Sequence, residues 1–426
     1  MARRPVAVVL CLALAGTAWA EDWTRFRGPN GSGVSPDKNV PTVWDDTQNI
    51  LWKVDLPGPG SSSPIITGPD VIVTAYSGYG VERSNPGNPD SLTRHLLCFD
   101  RHTGEQKWKV DLPALEREDR YTGMMAEHGY ATSTPVTDGE RVYVFCGKSG
   151  VYAFDLSGKQ LWHVGLGTGS AIMGWGSGAS PVLYENLLLV NADAESEALV
   201  ALDKMTGKEV WRASSKGYKG SWSTPTLLKV DGETEIVLVV PDEVWGINPK
   251  DGKLKWFCEC RVSGTTSPIV GDGIVYVLSG GPRGAAALAI RGGAKGDAKA
   301  NLLWRQSAGS YVPSPVLVGG DKLAWEDDKG LFHCHSTKSG EELVRERLPG
   351  AGKCYASITA AGDKLYAVSR EKGTFVLRLS EDGKKVEQLA HNEIASDDTD
   401  FNASPAVVDD HLFLRSNKRL YCVGTR

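Results

Sequence analysis

Two short hydrophobic phrases alternate along the chain. The first is Ser/Thr-Pro, a strand-length apolar run, a Gly/Asp turn and a second apolar run. Pro135-Val136-Thr137, the turn Asp138-Gly139 and Val142-Tyr143-Val144-Phe145 show it. Such runs, bounded by turn residues, predict two strands joined by a tight turn. The second phrase is a β-rich run ending in Asp, then a Gly turn, then Trp. It reads Leu96–Asp100 with Thr103-Gly104 and Trp108. It returns as Val151–Asp155 with Gly158 and Trp162, and as Leu199–Asp203 with Thr206-Gly207 and Trp211. A fourth copy is Val244–Asn248 with Asp251-Gly252 and Trp256. Weaker copies end at Trp304, at Val344 and near Glu387. Ser63, Thr134, Ser180, Thr224, Ser267, Ser314 and Ser404 each precede a Pro, and Ser357-Ile358 fills the one gap. Most of these starts are about 43 to 47 residues apart.

Each unit therefore holds four short strands. Pro at a strand's first position costs no ladder hydrogen bond. The Gly supplies the positive φ of the last hairpin, the Asp binds turn amides, and the Trp buries area between units. Eight four-stranded units predict an all-β, eight-bladed β-propeller. The last unit, from Ser404, lacks a fourth strand. Ile50–Asp55 carries Trp52 and is expected to complete that blade and close the ring. Two residues before the motif Asp stand Cys98, Ala153 and Ala201. By alignment Gly246, Ala289, Cys334 and Cys422 follow, so this column demands a small residue.

Composition narrows the function classes. The 426 residues carry a net charge of −5, with no basic excess for nucleic acid. Met1–Ala20 reads as an export leader: Arg3 and Arg4, an apolar run, then Ala18-Trp19-Ala20. Residues 21–48 form a Gly/Pro-rich lead-in, and 49–426 the propeller. No later run is apolar enough to span a membrane, so an exported periplasmic or extracellular monomer is expected. Seven cysteines follow the leader, with no Cys-x-x-Cys. Cys258 and Cys260 share one face of a strand, as a local disulfide or two thiols.

Ala-x-Asp-x-x-Thr-Gly-x-x-x-Trp repeats in eight blades resemble the PQQ-like propeller family, which includes quinoprotein alcohol dehydrogenases and the BamB lipoprotein of outer-membrane assembly. The lead-in Asp22-Trp23-Thr24-Arg25-Phe26-Arg27-Gly28-Pro29-Asn30-Gly31-Ser32-Gly33 resembles that of exported PQQ-like propellers of planctomycetes. Its Trp23, Phe26 and Trp44 are expected to pack on the barrel flank. The resemblance implies the fold for nearly all of the chain from Asn49 onward. A quinoprotein would also need PQQ, a calcium ion held by carboxylates and amides, an Asp base and, in the family pattern, adjacent cysteines. The cysteine pair is missing and no calcium-ligand cluster stands out, so no cofactor and no catalytic residue are expected. PQQ with calcium, oxidising alcohols or sugars, is the alternative.

First strands of propeller blades line the channel, so residues just before each Ser/Thr-Pro ring one mouth. Tyr130, Trp175, Trp222, Tyr311, Tyr355 and Phe401 stand there as candidate ligand-binding residues. Aromatics at a concave mouth stack on flat or sugar-like ligands or anchor a peptide, and equally can seal the channel. Two insertions, Ser77–His95 and Ala114–Ala131, are expected on the same face. The sequence thus favours a non-catalytic binding or scaffolding propeller of the cell envelope, with an envelope protein or a carbohydrate as partner. His333 and His335, flanking Cys334 on one strand, are expected on a blade surface, with a metal cluster of the three as the alternative.

Overall fold

The two phrases build eight antiparallel sheets, each a four-strand meander. A computed structural model describes residues 22–214 and 218–425. The leader Met1–Ala20 lies outside the described residues. Blades 1 to 7 span 65–113, 136–164, 182–214, 226–259, 269–306, 316–347 and 359–392. Blade 8 joins 406–423 to Ile50–Asp55, which pairs antiparallel with Arg419–Val423 and closes the ring as expected. Two short strands add to this frame. Val34–Ser35 lies parallel to the first strand of blade 7, and Gly296–Asp297 lies beside the last strand of blade 4.

A belt of hydrogen bonds joins the starts of the inner strands. The Ser63 amide donates to Thr134 Oγ1 (2.9 Å), Thr134 to Ser180 Oγ (3.0 Å) and Ser180 to Thr224 Oγ1 (3.0 Å). Thr224, Ser267, Ser314 and Ser357 continue it, each donating to the hydroxyl of the next blade at 2.9–3.0 Å. These amides are buried and have no ladder partner, so a hydroxyl on the neighbouring blade satisfies them. The ring is open only at the seam, where Ser63 Oγ has no partner. There Arg415 of blade 8 donates to the carbonyl and hydroxyl of Ser62 instead.

The outer strands are tied by tryptophan. Trp52, Trp108, Trp162, Trp211 and Trp304 each donate Nε1–H to a carbonyl in the last turn of the following blade. Each ring lies on that turn's glycine, for example Trp108 on Gly158, at φ 84°. The small-residue column sits directly across the ladder from these rings. Cys98 opposes Trp108, Ala201 opposes Trp211 and Cys422 opposes Trp52. Where the tryptophan is absent the volumes adjust: Val376 opposes Ala390 in blade 7. In blade 4 Trp256 folds over Gly246, is fully buried, and donates to Glu235 (2.8 Å). All seven cysteines in the described residues are buried thiols.

The lead-in departs from expectation. Trp44 packs on the flank, against Tyr366 of blade 7 (ring centroids 6.2 Å apart), and Trp23 is buried in the same cluster, but Phe26 is not. Residues 22–35 instead cross the lower end of the channel. Trp23 and Thr24 accept from the amides of Ile66 and Thr137, and Gly33 from Ala360. Arg27 donates to the Pro315 carbonyl. These bonds satisfy inner-strand groups at the ring's lower rim and carry Phe26 into the channel.

Ser267→Ala removes the acceptor of a buried amide and is expected to cost about 1–3 kcal/mol in chemical unfolding, whereas Ser63→Ala costs little. Equal losses would refute the belt. Gly246→Ala places a methyl inside the Trp256 ring and is expected to cost about 1–3 kcal/mol. A second change, Trp256→Phe, should recover part of that loss in the same measurement.

Candidate functional site

The upper end of the channel is a blind cavity of about 150 Å³. Trp175, Trp222, Tyr311 and Tyr355 form its walls, Phe26 its floor, and Met124 and His128 part of its roof. Belt hydroxyls of Ser180, Thr224, Ser267, Ser314, Ser357 and Ser404 line it between the blades. The belt places three of these walls: Trp222, Tyr311 and Tyr355 lie two or three residues before a belt residue whose backbone is pinned on both sides, while Trp175, five residues before Ser180, is held by its pairing with Trp222. Trp175 and Trp222 pair with centroids 5.4 Å apart, and Trp222 Nε1–H donates to the Gly176 carbonyl (2.8 Å). The Arg370 guanidinium lies 5.0 Å over the Tyr355 ring.

Both insertions rise beside this mouth and lock together. Tyr76, Tyr79, Tyr121 and Tyr130 form a cluster with Leu92 and Met125. The segment 114–131 then runs as a strap over the mouth. Its far end is held by His128, whose Nε2–H donates to the Trp175 carbonyl (3.0 Å) while Nδ1 accepts from Thr132 (2.7 Å). Burial holds His128 below its ordinary value, consistent with a neutral ring bonded on both nitrogens. Glu127 binds Arg370 of blade 7 and Arg83 of the first insertion, and its carbonyl accepts from Asn402 (3.1 Å). Asp119 accepts from Lys148 and Ser170, tying the strap to blades 2 and 3.

Four of the six aromatics expected at the mouth thus meet in one cavity. Two do not. Tyr130 is buried in the tyrosine cluster, where its hydroxyl donates to the Asp119 carbonyl (2.7 Å). Phe401 points away from the channel, stacked on Tyr421 of blade 8. Distance from the belt does not separate these two from the wall residues, since Tyr311 also stands three positions before its belt residue; local packing does, in the tyrosine cluster and against Tyr421. Phe26, Met124, His128 and Asn402 were not legible in the repeat. They come from the lead-in, the strap and a linker, and only the insertion's two methionines and histidine hinted at a role.

A family profile described as outer membrane protein assembly factor BamB matches residues 87–217, 194–295 and 293–426. The chain belongs to this BamB family. Among curated proteins it is 24% identical over 352 residues to the outer membrane protein assembly factor BamB of Yersinia pestis, covering 78% of this chain and 80% of that one. Among solved structures, BamB from Moraxella catarrhalis superposes with a TM-score of 0.59 at 13% identity, covering 88% of this chain and 97% of that one. A europium-containing methanol dehydrogenase superposes with a TM-score of 0.61 at 10% identity, covering 95% and 98%. At such identities these superpositions are likenesses of fold. Among the described residues no helix is long and apolar enough to cross a membrane.

The ion pairs of Glu127 predict a pH dependence of the strap. Burial pushes the Glu127 carboxyl up, but bonds from Arg370 and Arg83 outweigh it and hold the group below its ordinary 4.5. A depressed carboxylate contributes stability that is present above 4.5 and lost as pH falls through the depressed value. Glu127→Gln is expected to speed amide exchange across 114–131 at neutral pH. The wild-type protein should show the same loosening only below pH 4.5, after correction for intrinsic exchange. Unchanged exchange in the variant would show that the strap is held elsewhere.

Proposed function

We propose that this chain is an exported, non-catalytic scaffold of the cell envelope that holds a protein partner at its aromatic mouth. One observation carries the reading. An aromatic cavity lies beside apolar side chains left in solvent: Met173 is 75% and Ile172 44% exposed, on the loop that leads to Trp175. An anchor side chain in a desolvated aromatic pocket, surrounded by an apolar rim, is the arrangement that concentrates binding energy in protein interfaces. The relatives named for outer membrane protein assembly support the envelope setting.

The donors in the cavity do not suit calcium and a quinone. Calcium takes oxygen ligands that include carboxylates. The lining offers hydroxyls, the Asn402 amide and a His128 ring whose two nitrogens are already bonded, and contains no Asp or Glu. A base for alcohol oxidation is missing from the same set. The likeness to a methanol dehydrogenase is therefore best taken as shared architecture.

Affinity capture from the envelope fraction of the source cells tests the reading. Trp222→Ala and Tyr311→Ala should each weaken a captured protein's binding by about 2–4 kcal/mol. Undiminished binding by both variants would sink the site, and saturable binding of a sugar there would replace the protein partner. Calorimetry with PQQ and Ca²⁺, followed by a dye-linked assay with alcohols and sugars, is expected to show neither binding nor turnover. Stoichiometric binding with turnover would overturn the non-catalytic reading.

A further inference from the structure

A second constellation lies outside the mouth lining, between blades 5 and 6. His333 and His335 stand at alternate positions of the strand Leu331–Ser336, so both rings leave the same face. Phe332 and Cys334 leave the other face and join the cluster shared with blade 7. The histidines do not lie on a blade surface as expected: both side chains pack against Trp325 and are nearly sealed from solvent, at 4% and 2% exposure. Trp325, directly across the ladder from His333, holds the pair in place. Its ring lies 4.9 Å from that of His333, nearly parallel, and 4.8 Å from that of His335.

The hydrogen bonding of these rings is incomplete in a specific way. A neutral imidazole has one N–H and one lone pair. His335 donates from Nδ1 to the Gly340 carbonyl (2.9 Å), so its lone pair is on Nε2. That nitrogen is buried without a partner and faces Glu342 Oε2 at 3.7 Å. His333 faces Asp327 Oδ2 with Nε2 at 3.5 Å and leaves Nδ1 buried without a partner. In the neutral ring this lone pair would face a carboxylate, which is repulsive unless a cation stands between them. The 3.7 Å gap is too long for a hydrogen bond. It is the span of two bonds of about 2.1 Å that meet at an ion at an obtuse angle.

We propose that His333, His335 and Glu342 bind one divalent transition-metal ion of the borderline class that zinc represents. One donor atom from each residue lies within 4.8 Å of the others. Two imidazoles and a carboxylate match that class of ion. The surrounding groups match it too: the Gly340 carbonyl orients His335, Asp327 faces the far side of His333, and Trp325 fixes both rings. Glu342, opposite His335 in the ladder and half exposed, provides the way in and leaves a position for water.

The test is calorimetric titration of Zn²⁺ into the full protein, produced without a histidine tag and stripped with EDTA. One equivalent should bind with micromolar or tighter affinity. Glu342→Ala and His335→Ala should each weaken it at least tenfold, and Co²⁺ should give visible ligand-field bands in the wild type only. Arg345, exposed and across the ladder from His333, is the control, and Arg345→Ala should leave the affinity unchanged. If His335→Ala fails to fold, Glu342→Ala decides alone, because its half-exposed side chain is not needed for packing. No saturable binding, or equal affinity in Glu342→Ala, would overturn the site and leave the histidines as packing for Trp325.

Discussion

A hydroxyl at the head of each inner strand, accepting the backbone N–H of the equivalent residue one blade earlier, is the contact on which this ring depends. At that radius the strands converge and water is excluded. The belt amides have no ladder partner, and the following Pro offers no donor to the adjacent blade. An unpaired amide there would cost roughly 1–3 kcal/mol per blade. Serine and threonine are short enough to reach across without widening the channel. The bond therefore sets spacing and satisfies the backbone together. It also fixes the positions just before it, which is why residues scattered over 180 positions of sequence, from Trp175 to Tyr355, arrive at one cavity.

The ring is closed without a covalent link, and the seam is handled by different chemistry. Ile50–Asp55 supplies the missing strand of blade 8, Trp52 bonds the last turn of blade 1, and Arg415 takes over where the belt stops. The lead-in then seals the channel from below, and the strap partly covers it from above. Phe26 and His128 turn an open channel into a blind pocket. The pieces that make this propeller individual are thus the ones that do not repeat.

Family membership and fold likeness carry different weight here. Proteins named as an outer membrane assembly factor and as a methanol dehydrogenase both superpose on this ring, so the fold by itself does not fix the chemistry. Chemistry enters through the lining. In this chain the lining is aromatic and hydroxylic, whereas charged groups are spent on holding the strap, as Glu127 and Arg370 show.

The sequence by itself determined the ring. The Ser/Thr-Pro starts, the Gly turns, the tryptophans and the small residues facing them each express a local requirement: a spare N–H, a positive φ, or room across a ladder. Local requirements repeat, so they can be read and counted, and even the closing strand at Ile50–Asp55 follows from the missing fourth strand of the last unit. Four of the six mouth aromatics followed from the same logic. Only tertiary structure decided the rest. Tyr130 turned into a tyrosine cluster because the two insertions meet there, and Phe401 turned onto Tyr421 because its linker runs over blade 8. Phe26 belongs to a segment with no periodicity, and its place depends on the amides of Ile66, Thr137 and Ala360 in three blades and on the Pro315 carbonyl. His333 and His335 were visible as a pair on one strand face. The unpartnered state of their nitrogens depends on Gly340, Asp327 and Glu342, whose distances from the rings are a property of packing and appear in no pattern of residues.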